Sequence, residues 1–374
     1  MYFSFLSTQD STLYEYNYRR NSGIDQILEL TKRVPGVPDI DGGYYSDIYN
    51  SRLLIQFDVQ DIVTKIQDGT ISPSSEFYLS LKATEAVDVP INYSLYVHPI
   101  CYSWENGQGH YYDFPEITTG VSWQYRDGYY FAEGTEWLSG SLPTATTASY
   151  TTVPGGGCWY TGSANTATQS FAFATTPDIR VNVSNIVRNW ISGSYTNYGF
   201  IVKKSDTDEQ STIYTGDIKF FGRETHTIYM PKLEAVWNDV SFTNTGSLEE
   251  VSSSNCIVHF SNLLKEYDVN SKAKISLVAR DKYYIPSYST TRQNSLKRLP
   301  TSSYYSILDS VTNDIIVPFD TGSTQLSINS NGNFFYLNMK AFLPERYYKI
   351  VVKSQWEGGA VQEIFDEGFY FKVK

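Results

Sequence analysis

Apolar and polar side chains alternate with a period of two along much of this chain. Phe77, Leu79, Leu81 and Ala83 interleave with Tyr78, Ser80 and Lys82, and Ile91, Tyr93, Leu95 and Val97 with Asn92, Ser94 and Tyr96. Successive side chains of a strand point to opposite faces, so each run predicts a strand with one buried face. The segment Glu85 to Pro90 reads as the loop between two neighbouring strands. The alternation returns at Ile179, Val181 and Val183, at Ile275, Leu277 and Ala279, at Tyr348, Ile350 and Val352, and at Phe369, Phe371 and Val373. Thr12 to Tyr16 and Ile27 to Leu30 predict two short strands around the Asn21-Ser22-Gly23 turn. Two stretches change period. Ile62, Val63 and Ile66 share a helical face between Val59 and Gln67, with Gly69 as a stop, and Ser184 caps a helix whose Ile186, Val187, Trp190 and Ile191 face inward and which ends at Gly193.

The pattern therefore predicts an all-β chain. At 374 residues it is too long for most single cores. The register changes at Asn238: Ser241 to Asn255 is a polar linker or loop, and Ile257-Val258-His259-Phe260 opens a new set of strands. The division expected is a β-sandwich over residues 1–237, of jelly-roll type, and a second sandwich over 238–374. In the second, Leu343-Pro344-Glu345-Arg346-Tyr347-Tyr348 resembles the tyrosine corner of immunoglobulin and fibronectin type III domains.

One stretch of the first domain is neither strand nor helix. Trp104-Glu105-Asn106-Gly107-Gln108-Gly109 is followed by Gly120-Val121-Ser122-Trp123-Gln124-Tyr125-Arg126-Asp127-Gly128, then by a Gly, Ser and Thr-rich excursion carrying Trp137, Trp159 and Tyr160. Glycines permit tight turns and close backbone approach, while indoles and guanidinium supply flat faces and a forked donor. Trp104, Trp123, Arg126, Asp127, Trp137 and Trp159 are thus candidates for a glycan platform, with a self-packed loop as the competing reading.

The order Trp-x-x-Gly-x-Gly, then Gly-x-x-Trp-x-x-Arg-Asp, resembles the DNRLRE-type domains, β-sandwich modules related to a carbohydrate-binding-module family. Ser51-Arg52-Leu53-Leu54-Ile55-Gln56-Phe57-Asp58 is similar to that family's signature strand, with Ser51 where the family has Asn. Asp178 to Val183, Asn197 to Val202, Phe220 to Thr225 and Pro231-Lys232-Leu233 follow in the family's order, so the likeness spans roughly residues 8–237. The insert around Leu138 to Ala164 is unusual for it. Joined to an aromatic second domain, the chain resembles virion structural proteins of large tailed bacteriophages, which implies a protein made in a host cytoplasm and assembled into a virion.

Aromatic residues are 16% of the chain, with 32 Tyr, which favours strands. The formal net charge of −11 and the absence of long basic runs argue against nucleic-acid and anionic-membrane partners. Cys101, Cys158 and Cys256 are an odd set at wide spacing, neither a disulfide framework nor a zinc signature, and read as free buried thiols. His98, His110, His226 and His259 fall in no metal or nucleophile–base spacing, and Asp113, Glu116, Glu133 and Glu136 read as ordinary loop acids. No catalytic residue, metal or cofactor is expected. Arg280 to Ser303 stands out in so acidic a chain: Lys282, Tyr283, Tyr284, Arg292, Lys297 and Arg298 suit a docking arm for an acidic neighbouring subunit. The leading expectation is a non-enzymatic component of a phage tail, baseplate or neck, in a homo-oligomer or ring with other virion proteins. The alternative is a module that binds a host or extracellular polysaccharide.

Overall fold

The computed structural model describes residues 1–36, 38, 43–128, 134–139, 149–152, 154–243, 248–283 and 296–374. The chain is all-β and forms two compact units, the larger from residues 5–69 and 76–234, the smaller from 1–4, 70–75 and 235–374. No helix among the described residues is long and apolar enough to cross a membrane.

The strands of residues 2–236 are β1 (Tyr2–Leu6), β2 (Gln9–Tyr14), β3 (Ile27–Leu30), β4 (Lys32–Arg33), β5 (Tyr49–Gln56), β6 (Glu76–Leu81), β7 (Ala83–Val87), β8 (Tyr93–Pro99), β9 (Ala167–Phe171), β10 (Ile179–Asn182), β11 (Phe200–Lys204), β12 (Asp217–Phe221) and β13 (Lys232–Val236), all of the larger unit except Tyr2–Ser4 of β1 and Ala235–Val236 of β13. A six-stranded sheet runs β2-β5-β11-β8-β9 with β4 also on β5, a four-stranded sheet runs β1-β13-β6-β10, and a three-stranded sheet runs β3-β12-β7. The strands read from Phe77 to Ala83 and from Ile91 to Val97 are not neighbours, since β6 and β8 lie in different sheets. The segment taken as their loop begins with β7, which pairs with β12 and sets Glu85 opposite Lys219. Most of β7 is exposed, so it carries no buried face for an alternation to mark.

Helix α1 (Val59–Gln67) is capped by Asp58, whose carboxylate accepts the Gln60 N–H. In α2 (Ser184–Ile191) Ser184 does not cap: its buried hydroxyl accepts the Phe77 N–H at 2.8 Å, tying the helix to β6. Trp190 of α2 packs on Phe200 of β11 with ring centroids 4.6 Å apart, a core position as its helical spacing implies. A third helix, α3 (Asp206–Gln210), follows β11, and its N-cap Ser205 accepts the Asp208 N–H.

Strand β5 explains the unit's layering. Ser51, Arg52, Leu53, Leu54 and Ile55 are all buried, so both faces of the sheet are covered here. Leu54 pairs with Ile201 of β11 and Arg52 with Leu13 of β2, which puts these four on one face with Lys203. Leu54, Ile201 and Leu13 belong to a cluster with Ile100, Cys101, Tyr102, Trp104, Val121, Trp123, Trp137, Cys158, Trp159 and Tyr160. The Trp-rich excursion therefore lies on this second face of the sheet as an additional core.

The smaller unit contains β14 (Cys256–Phe260), β15 (Glu266–Tyr267), β16 (Lys272–Asp281), β17 (Ser303–Asp309), β18 (Ile315–Val317), β19 (Ser327–Asn329), β20 (Gly332–Asn338), β21 (Tyr347–Trp356) and β22 (Val361–Val373). Its sheets run β14-β16-β20-β19 and β15-β22-β21-β17-β18, the order of an immunoglobulin-type sandwich. Tyr305 of β17 stacks on Phe335 of β20 at 4.2 Å, joining the sheets through the core. The tyrosine corner is formed: the Tyr348 hydroxyl donates to Leu343 O at 3.1 Å and accepts the Leu343 N–H at 2.9 Å. The polar stretch from Ser241 is no free linker where it is described. The Thr243 N–H donates to Ile328 O at 2.9 Å, and buried Val251 accepts the Trp356 indole N–H at 3.1 Å.

Candidate functional site

The Trp-rich loop is organised around Arg52 of β5. The Arg52 guanidinium lies between Trp123 and Trp159, 4.7 and 4.9 Å from their ring centroids. It spans Glu209 of α3 with Nε–Oε1 3.1 Å and Nη2–Oε2 2.8 Å, and donates from Nη1 to Gly156 O at 2.7 Å. Lys203 Nζ is 3.2 Å from Glu209 and 2.5 Å from Asp206. Two buried cations thus share a buried carboxylate, so removing any one member leaves an uncompensated charge. Gly156 has φ of +69°, and a Cβ there would lie 2.4 Å from Arg52 Nη1 and 2.7 Å from the Trp123 ring.

Its glycine motif serves Asn21. This buried side chain donates to Asn106 O and Val121 O at 2.8 Å each, and its carbonyl accepts the N–H groups of Gly109 at 2.8 Å and Gly23 at 3.1 Å. A Cβ on Gly107, whose φ is +77°, would sit 2.4 Å from Asn21 Oδ1. Glycine is required because the backbone closes on an amide with every donor and acceptor used.

The sequence-chosen platform residues are brought together, facing inward. Trp104, Trp123, Trp137 and Trp159 are 6%, 9%, 0% and 7% exposed. The Trp104 and Trp137 indoles donate to Tyr198 O and Ser122 O at 2.8 and 3.1 Å. Arg126 lies over Tyr102 at 5.2 Å, and Asp127 accepts the Thr135 N–H at 2.7 Å. None of the four indoles offers an open face to a sugar: all are buried in the cluster, with Arg52 over Trp123 and Trp159 and Lys203 over Trp159. A cleft of about 420 Å³ is lined by Trp123 and Trp137 with Glu15, Tyr18 and Glu136. Residues 129–133 and 140–148 lie outside the described residues.

In the smaller unit, Tyr284 and Arg292 of the expected docking arm lie outside the described residues. Lys282 and Tyr283 are exposed. Lys297 pairs with Asp281 at 2.8 Å and Arg298 with Glu250 at 2.5 Å. The charge that the sequence suggested for an acidic neighbour is, at these two positions, compensated within the unit.

An open site that the sequence reading did not select lies on the three-stranded sheet. A cleft of about 400 Å³ is lined by Tyr14, Asp25, Gln26, Ile27, Glu29, Thr84, Glu85, Tyr111, Tyr112 and Lys219. Its floor is an ion row across three strands, Lys219 Nζ being 3.5 Å from Glu29 and 3.1 Å from Glu85. Its wall is a ladder of rings, with Tyr14–Tyr111 centroids at 4.2 Å and Tyr111–Tyr112 at 4.9 Å. Tyr112 is 74% exposed. Asp25 accepts the Tyr111 N–H at 3.1 Å and lies 3.0 Å from His110 Nδ1, which fixes the loop carrying the rings. Burial raises the Asp25 carboxyl above its usual range, against the His110 hydrogen bond. The cleft combines stacking surface, carboxylate acceptors and an ammonium donor, a set suited to a hydroxyl-rich ligand. Glu29, Glu85 and Lys219 sit far apart in sequence on three strands, so no local motif announces them.

No protein-family model, no curated protein and no solved structure matches this chain.

Proposed function

We propose that the chain is a non-enzymatic structural component of a tailed-bacteriophage particle, in the tail, baseplate or neck, where it holds neighbouring subunits or anchors fibres. The observation that carries this reading is the joining of an immunoglobulin-type sandwich to a sandwich whose longest loop is packed as a second core. Such a loop serves rigidity, which a load-bearing subunit requires, and the order of motifs across residues 8–237 supports the same assignment. Light scattering of the purified chain, followed by mass spectrometry of purified particles, tests it. A symmetric oligomer, or stoichiometric recovery with other particle proteins, is expected. A monomer absent from every particle fraction would overturn it.

A second reading, saccharide binding, is favoured by the tyrosine-lined cleft rather than by the tryptophans. Exposed Tyr112 stands beside Glu29, Glu85 and Lys219 as a sugar-stacking ring beside hydrogen-bonding groups. Retention on immobilised polysaccharides that weakens at least tenfold in Tyr112→Ala, with an unchanged melting temperature, supports it. Equal retention of both proteins rejects the cleft as the site.

A further inference from the structure

The cysteines read in sequence as unconnected thiols, yet the fold sets two of them face to face. Ile100 and Trp159 form an antiparallel bridge, flanked by the Cys101 N–H donating to Cys158 O at 2.9 Å and the Tyr160 N–H donating to Pro99 O at 3.0 Å. Cys101 is therefore directly opposite Cys158. Side chains of opposed residues project from the same face, with Cβ atoms about 4.5–5.5 Å apart. A disulfide spans Cα atoms roughly 4.4–6.8 Å apart, the spacing of opposed residues in an antiparallel pair. Both side chains are buried, and the ionisation of each thiol depends on the other. Cys256 belongs to the other unit and has no part in the pair.

We propose that Cys101 and Cys158 are a disulfide-forming pair that closes the neck of the Trp-rich excursion when the protein meets a small disulfide oxidant such as oxidised glutathione. Everything from Tyr102 to Gly157 lies between them, so the bond converts the loop that carries the Trp and Arg52 packing into a covalent ring. Cys158 attacks first. Its thiol is held below the ordinary value, chiefly by the hydrogen bond from Cys101, whereas burial pushes Cys101 up. The Cys158 thiolate displaces one glutathione thiolate and forms a mixed disulfide. The Cys101 thiolate then attacks the Cys158 sulfur and releases the second glutathione. Two protein thiols are oxidised, one glutathione disulfide is reduced to two thiols, and the two protons pass to the leaving thiolates.

The test refolds the full chain from denaturant in a mixture of oxidised and reduced glutathione, so that burial does not limit access. N-ethylmaleimide is added under denaturing conditions, and intact mass and peptide mapping follow. The expected product carries one maleimide, on Cys256, and a peptide pair cross-linked between Cys101 and Cys158. Its melting temperature is about 5–10 °C above that of the reduced chain, the gain expected for closing a loop of this length. Cys256→Ser keeps that difference, whereas Cys101→Ser abolishes it whatever the variant's own stability. Three maleimides on the refolded monomer, or cross-links to Cys256, would overturn the proposal.

Discussion

Asp10 and His98 are buried titratable residues of the larger unit whose effects on stability oppose one another. Burial raises Asp10 to about 7 although it accepts the Arg223 N–H at 2.6 Å. Burial, helped by the charge of Lys203, lowers His98 to about 4. Between about pH 4 and 7 the folded chain holds a proton on Asp10 that the unfolded chain has lost, so this group makes stability fall as pH rises. Between about pH 6.5 and 4 the unfolded chain takes a proton on His98 that the folded chain refuses, so that stability is lost as pH falls. The two slopes cancel over most of the window. Asp10→Asn removes one of them. It should raise stability at pH 8 by roughly 2–4 kcal/mol, leave pH 4 nearly unchanged, and expose a steady loss between pH 6.5 and 4. Urea unfolding across pH reads this as the difference between variant and parent, and parallel profiles would mean that Asp10 is ionised in the fold.

Among elements, the Trp-rich excursion departs furthest from an ordinary loop. Trp137 is fully buried and bonded to Ser122 O, so Trp137→Ala should cost about 3–5 kcal/mol and flatten the near-ultraviolet circular dichroism, while Ala at exposed Phe114 or Phe173 should do neither. A loss below about 1 kcal/mol would show that the excursion does not behave as core. This also marks how far the sequence could be read. Strands with one wet face, such as β6, and the helix with caps and spacing, α1, were legible because periodicity reports a solvent boundary. The tyrosine corner was legible because its bonds join residues five apart in sequence. The excursion's aromatic residues and self-packing as one reading of them were visible, but the partners that turn them inward, Arg52, Lys203 and Glu209, were not, because they come from β5, β11 and α3. Asn21, which organises the glycine motif, lies 85 residues before Asn106. The acidic cleft stayed hidden for the same reason: its ion row exists only once β3, β12 and β7 are in register.

The units interleave along the chain, and this sets what a cut can separate. A boundary at 237/238 follows the change in sequence character, but residues 1–4 and 70–75 belong with 235–374. Tyr2 is 4% exposed and Ile71 fully buried, and the Ser4 hydroxyl donates to Ala341 O at 3.0 Å. Each apolar side chain left behind forfeits about 1.5–3 kcal/mol of burial, to which the lost hydrogen bond adds. A fragment of 238–374 should therefore still form the sandwich, whose strands are all within it, but melt about 10 °C or more below the same unit in the full chain. Loss of any other contact in the fragment would act in the same direction, so a substitution in the intact chain is needed to assign the effect. Ile71→Ala, measured by hydrogen exchange, should reduce the protection of amides in β16, β20 and β21 by the equivalent of about 2–5 kcal/mol while β5 and β11 keep theirs. Equal loss in both sets would mean that the chain unfolds as one cooperative body. Loss confined to β5 and β11 would place Ile71 in the larger unit and move the division.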